Sequence, residues 1–211
     1  MAKTVADILS IANQEWNHWG NSIWNLSTGA KNIRHKDDDP LFAKHVIKNY
    51  NAVGGGTPTE DEIMNDEYFW SAVGISYVFH AAKFIKKEFP FAQAHSVWIR
   101  HFIKARQQNS TSALYHGYRL KEPGATPDVG DIIGYTYEKV SFQQAQGYYD
   151  KVGTYRSHTD IVVARRPGEI DVIGFNVLDS VTKKTIPLTE SGHIGDTTHK
   201  WFVVLKKNAL H

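Results

Sequence analysis

The sequence predicts an α+β domain, with helices first and antiparallel strands after them. Three observations carry this reading. The first half holds apolar residues at helical spacing, the second half holds apolar runs of strand length, and Pro167-Gly168 joins two of those runs as a hairpin turn. No repeat, low-complexity tract or linker divides the 211 residues, so they are read as a single domain. Residues 1–66 form an N-terminal helical elaboration and residues 67–207 the core.

The first helix is expected over residues 5–19, where Ile8, Ile11, Ala12, Trp16 and Trp19 share a face, and Gly20-Asn21 ends it. Residues 30–40 read as a polar loop, and a short helix over 40–50 turns Phe42, Val46 and Ile47 inward. Gly54-Gly55-Gly56-Thr57-Pro58 breaks the chain before an acidic stretch containing Asp66 and Glu67. The most apolar helix follows over 69–84, and another over 91–106 after Pro90. Residues 107–130 read as loop. Strands are expected at 132–135, 160–165, 169–175, 181–188 and 201–206, with a polar, aromatic insertion at 141–155.

Composition excludes several classes of function. With 41% hydrophobic residues the chain has the material for a core. Lys and Arg number 24 against 22 Asp and Glu, a balance that argues against nucleic acid as a partner. The absence of cysteine removes disulfides, thiolate metal sites and a thiol nucleophile. No run reaches the ~18 apolar residues of a membrane span. The start of the chain lacks the pattern of a secretory leader, so a cytoplasmic protein as synthesised is expected, exported if at all by a dedicated system.

Two segments carry chemistry. Ser71 stands at the start of the apolar helix, where free backbone N–H groups and the positive dipole end favour a developing negative charge, although a serine there is more often a cap. His158 heads the first hairpin strand and Asn176 follows the second, which puts both at one edge of the sheet. A histidine oriented by an amide or carboxylate is a base suited to activating a nucleophile, with Asp160 and Asp179 as competing orienters. His95, at the start of the next helix, is a capping, packed or cleft-lining residue. Tyr148, Tyr149 and Tyr155 precede His158 and are candidates for a loop over the substrate. The histidine spacings match no metal motif, so no metal and no cofactor is expected.

Four blocks together resemble the papain-like cell-wall amidases of the NlpC/P60 and CHAP superfamily. The run Trp70-Ser71-Ala72-Val73-Gly74-Ile75-Ser76-Tyr77-Val78 is similar to their W-C-A-A-F-V-S-W-V helix. Pro127 to Ile133 resembles the P-x-x-G-D-hydrophobic lead into a strand, and Ser157 to Val163 the G/S-H-x-x-I-V-V strand. Ile173-Gly174-Phe175-Asn176 with Asp179-Ser180-Val181 is similar to I-G-G-N-x-x-x-S-V. With Glu15-Trp16 and Ala94-His95-Ser96, the pattern looks like a bacterial branch in which serine stands where the nucleophilic cysteine is expected.

The resemblance implies a papain-like fold with N-terminal helices packed on an antiparallel sheet. It also implies a hydrolase for an amide or peptide bond in peptidoglycan, with Ser71 as nucleophile, His158 as base and Asn176 as orienting residue. Trp70 and Tyr155 are then expected near the cleft. The alternatives are a cell-wall-binding pseudoenzyme and a serine esterase or acyltransferase on the same fold. Lacking a leader, such a protein fits a secreted antibacterial effector acting in the periplasm, with an immunity protein or a secretion-machine component as partner.

Overall fold

A computed structural model describes residues 3–209, and the fold is α+β. Helix α1 (Val5–His18) begins at Thr4, whose hydroxyl and backbone N–H form a reciprocal capping box with Asp7. It stops where Gly20 and then Asn21 take positive φ. Strands β1 (Ser22–Asn25) and β2 (Lys31–Asn32) make a small hairpin. Helix α2 (Pro40–Val53) has Asp39 as N-cap, proline in its first turn and left-handed Gly54 as its stop. Helix α3 (Glu60–Met64) occupies the acidic stretch under a second capping box, Thr59 with Glu62.

Helix α4 (Ser71–Ala81) is apolar nearly all round and is buried accordingly, with Ala72, Val73, Ile75, Val78 and Phe79 in the core. Helix α5 (Ser96–Gln107) starts five residues later than its apolar spacing suggests. The remaining elements are β3 (Tyr115–Arg119), β4 (Ile132–Thr136), α6 (Phe142–Gln146), β5 (His158–Arg166), β6 (Glu169–Gly174), β7 (Thr182–Pro187) and β8 (Lys200–Lys207). Among the described residues the strands form one sheet of eight in the order β2-β1-β7-β6-β5-β4-β8-β3.

The sheet is mixed, which corrects the all-antiparallel expectation. Strand β1, from the N-terminal elaboration, runs parallel to β7 with Ser22 opposite Thr182. Ser22 Oγ is 3.0 Å from Ser180 Oγ and accepts from the Arg34 N–H, which anchors this added edge. Strand β3 was also unexpected. It pairs antiparallel with β8 and closes the opposite edge.

Alternation along the strands builds two apolar layers. Ile132, Ile161, Ile173 and Leu205 face the helices, whereas Ile133, Val162, Val172 and Val204 pack on the far face with Leu120, Ile186 and Ile194. Burial on both faces is why these strands read as continuous apolar runs. The ladder between β5 and β6 ends at the Ile161–Ile173 pair, while β5 continues back to His158. That end, paired with β4 but not with β6, holds the site.

Helix α4 lies against Phe175, just after β6, and does so through Gly74. A Cβ at Gly74 would overlap the Phe175 ring. Alanine there gains about 1 kcal/mol of helix propensity, but overpacking typically costs about 1–3 kcal/mol. Gly74→Ala is therefore expected to lower the urea midpoint despite its better propensity. A variant as stable as the parent would show that α4 and the Phe175 segment are free to move apart.

Candidate functional site

Ser71 is the first residue of α4, and the first helical bond runs from Gly74 N–H to Trp70 C=O at 2.8 Å. The amides of Ser71, Ala72 and Val73 consequently lie outside the helical ladder. The hydroxyl does not cap its own helix. Ser71 Oγ instead lies 2.8 Å from His95 Nε2. His95 is the buried N-cap of α5, with its ring edge-on to Trp98 at 5.0 Å. Its Nδ1 lies 2.8 Å from Thr159 Oγ1 and accepts the Thr159 N–H at 3.2 Å.

His158 precedes Thr159 and faces the other side of β5 together with Asp160. Its Nε2 is 3.1 Å from Asp160 Oδ1, and the other carboxylate oxygen accepts from Lys184 Nζ at 2.8 Å. Asp160 and Lys184 are both fully buried. Lys184 projects from β7, so the pair reaches across the end of β6 at Gly174, where any Cβ would overlap Asp160. The Lys184 ammonium also lies 5.0 Å from the centre of the Tyr135 ring.

These contacts set the protonation states. Burial favours a neutral Asp160, but Lys184 and then His158 outweigh it and hold the carboxyl well below the ordinary carboxylate range. An ionised carboxylate only accepts, so the His158 proton sits on Nε2. Burial depresses His158 against the pull of Asp160. Burial, and then the neighbouring His158, push His95 down further. Both rings are neutral at pH 7. The His158 Nδ1 makes no hydrogen bond within the described residues and belongs to a ring that lines a cleft.

That cleft, of about 480 Å³, is lined by Asp66, Phe69, Ser71, Tyr135, Tyr137, Arg156, His158, Asn176 and Asp179. Phe69 and Tyr137 are exposed apolar rims, and the Arg156 guanidinium lies 4.8 Å from the Tyr137 ring centre. Asp37, Asp66 and Asp179 converge at the acidic end with oxygens within 4.8 Å of one another, the group among the described residues whose geometry suits a hard cation. Lys36 Nζ neutralises Asp179 at 2.9 Å. Burial, opposed by the Trp70 hydrogen bond and helped by Asp179 and Asp66, pushes Asp37 up to about 6.

The structure therefore brings Ser71, His158 and Asn176 to one cleft but pairs them differently from the sequence reading. The hydrogen-bond partner of Ser71 is His95. The orienting residue of His158 is Asp160, because Asp160 lies two residues on along the same face of β5 and reaches the ring directly. Asn176, at φ 52°, begins a left-handed stretch with Leu178 and Asp179 and contributes to the cleft wall. Trp70 is not in the cleft. It is fully buried, stacked on Trp19 at 4.9 Å, and donates to Asp37 Oδ2 at 2.5 Å.

Tyr148, Tyr149 and Tyr155 form no covering loop. Their rings fill the space beneath the insertion, Tyr148 and Tyr155 against Phe202 and Tyr149 with its hydroxyl on Gly117 C=O at 2.7 Å. Lys184 was missed by sequence reasoning. In Thr182-Lys183-Lys184-Thr185 it resembles a solvated charge, and only its inward parity with Ile186 hints otherwise.

An α+β protein with a serine and a neutral histidine at one cleft, each backed by a buried partner, His95 for the serine and Asp160 for the histidine, is what fold and site define. Residues 43–207 match the family described as an uncharacterized protein conserved in bacteria (DUF2272), and the chain belongs to it. The matched span begins within α2 and takes in the whole site. No curated protein and no solved structure matches the chain.

Two measurements probe this network. Asp160→Asn leaves the Lys184 ammonium buried without its counter-charge, and a loss of about 3–5 kcal/mol is expected in denaturant unfolding. The second is pH. Below about 6.5 the unfolded chain binds protons at His95 and His158 that the folded chain refuses, so stability falls as pH falls towards their depressed folded values. Asp160 stabilises above the unfolded carboxylate value of about 3.9 and loses that contribution as pH drops through its lower folded value. Asp37, raised, acts with the opposite sign between about 4 and 6. Urea midpoints measured from pH 8 to 5 should decline below 6.5, and less steeply in His158→Gln.

Proposed function

We propose that the chain is a hydrolase that opens an acyl bond with Ser71 as nucleophile and His158 as base, on a papain-like scaffold of the NlpC/P60 type. One observation carries the reading. Ser71, with free amides beside it at a helix start, shares a cleft with a histidine whose Nε2–H is fixed by a buried carboxylate and whose Nδ1 has no partner among the described residues. A serine hydroxyl must lose its proton during attack, and a neutral imidazole with an ionised orienter is the group that takes it.

The steps follow from these positions. Ser71 Oγ bonds to the substrate carbonyl carbon as its proton passes to His158 Nδ1, and Asp160 stabilises the imidazolium. The free amides at the start of α4 are the local donors for the oxyanion. Collapse expels the amine, which takes the proton from His158, and leaves an acyl-serine. Water, deprotonated by the same ring, then releases the acid and restores Ser71.

The substrate class proposed is a peptide amide of bacterial peptidoglycan, supported by the four sequence blocks similar to the cell-wall amidases. A cleft with charged and amide side chains in its wall and Phe69 and Tyr137 at its rim suits a peptide. An antibacterial effector delivered to the periplasm, with an immunity partner, is the biological setting proposed.

Purified peptidoglycan and a model ester decide between this reading and its alternatives. New amino termini should appear with peptidoglycan and fall at least about 100-fold in Ser71→Ala and in His158→Ala. Binding without turnover, unchanged by Ser71→Ala, would identify a non-catalytic wall-binding protein. Turnover of the ester alone would identify an esterase.

A further inference from the structure

The second histidine at the site does different work from the first. His95 Nδ1 receives the Thr159 backbone N–H at 3.2 Å, and that N–H can only donate. Thr159 Oγ1, 2.8 Å from the same nitrogen, already lies 3.3 Å from Trp98 Nε1, another group that can only donate. The threonine oxygen accepts from tryptophan, and its remaining proton and lone pair let it complement either form of the ring, so the backbone N–H decides. The Thr159 backbone N–H requires a lone pair on His95 Nδ1, and the Thr159 hydroxyl is free to donate to the same nitrogen. A proton on Nδ1 would face the Thr159 N–H head on and orphan it, inside a buried pocket where an unmade hydrogen bond is costly.

We infer that His95 is a positioning residue, locked as its Nε2–H tautomer, which donates to Ser71 Oγ and leaves the serine proton directed at His158. A hydroxyl has one proton and two lone pairs. With one lone pair held by His95 at 2.8 Å, rotation of the O–H is confined, and His158, with an unpartnered Nδ1 among the described residues, lines the same cleft. The donated bond also stabilises negative charge on Oγ as its proton leaves and again when the acyl-serine breaks.

The surroundings keep the two roles apart. His95 faces His158, Asp160 and Lys184 from the sheet, and burial keeps it uncharged. Its ring centre is 4.9 Å from that of His158, so a charge on His95 would oppose the proton that His158 must take up. His158 in turn faces Asp160, Lys184 and His199, with the carboxylate in direct contact.

The consequence for catalysis rests on the reading of Ser71 as nucleophile, but the tautomer does not. Long-range proton–nitrogen NMR of the imidazole rings in the intact protein at neutral pH reads it directly. A protonated Nε2 and an unprotonated Nδ1 on His95 are expected, and the reverse pattern overturns the inference. Labelling of Ser71 by a fluorophosphonate then measures the role without a natural substrate. His95→Phe, which keeps a ring and removes the donor, should slow labelling by about tenfold or more. His95→Gln, which keeps an N–H, should recover part of that loss. In both variants the acidic limb of the pH profile should stay in place, because it belongs to His158, and His158→Gln should remove it.

Loss of the acidic limb in His95→Gln or His95→Phe would make His95 the base and overturn the proposal. Absence of labelling in the parent protein would count against Ser71 as a nucleophile, while the NMR result would still decide the tautomer.

Discussion

The site depends on one buried ion pair, Lys184 with Asp160. Both groups are withdrawn from water, a cost that only close pairing and further hydrogen bonds offset. They come from β7 and β5, which flank β6, so the pair ties three strands together on the face away from the helices. Because the carboxylate stays ionised, it fixes where the His158 proton sits and so which ring nitrogen is offered to the cleft. Stability and chemistry at this edge share the same atoms.

The period of two along β5 divides the labour. His158 and Asp160 fall on one face, and Thr159 between them falls on the other, where it meets His95 and Trp98. Two histidines from different elements are thereby given the same Nε2–H tautomer by one three-residue stretch, with the proton aimed at Asp160 in one and at Ser71 in the other. The early end of the β5–β6 ladder makes this workable, since the Thr159 N–H bonds a side chain. Helix α4 completes the arrangement by presenting Ser71 at its first turn.

Much of the fold was legible because strands buried on both faces and an apolar helix leave continuous signals. The hairpin through Pro167-Gly168, the last strand and the helix at Ser71 all lie where those signals put them. The short, polar strands β1, β2 and β3 were not legible, because four, two and five residues of mixed character carry no periodicity and acquire their structure from partners distant in sequence. At the site, Ser71, His158 and Asp160 stood out by type and position. The bond from Ser71 to His95 did not, since it depends on how α4 and α5 cross. Lys184 was hidden among neighbouring lysines, and Tyr155 was misplaced because its polar surroundings in sequence concealed an apolar role.

Gly174 shows what this economy of space entails. The Asp160 carboxylate that Lys184 holds lies against it, beside the His158 ring, and occupies the volume that any side chain there would claim. One residue with no functional group thus governs whether the acid, the ammonium and the imidazole can coexist. Adding a single methyl group to it would disarm the site while leaving every polar residue in the sequence unchanged. Two members of a family could therefore carry identical serines, histidines and aspartates and still differ in chemistry, with the distinction recorded only at a position where one of them has nothing to show.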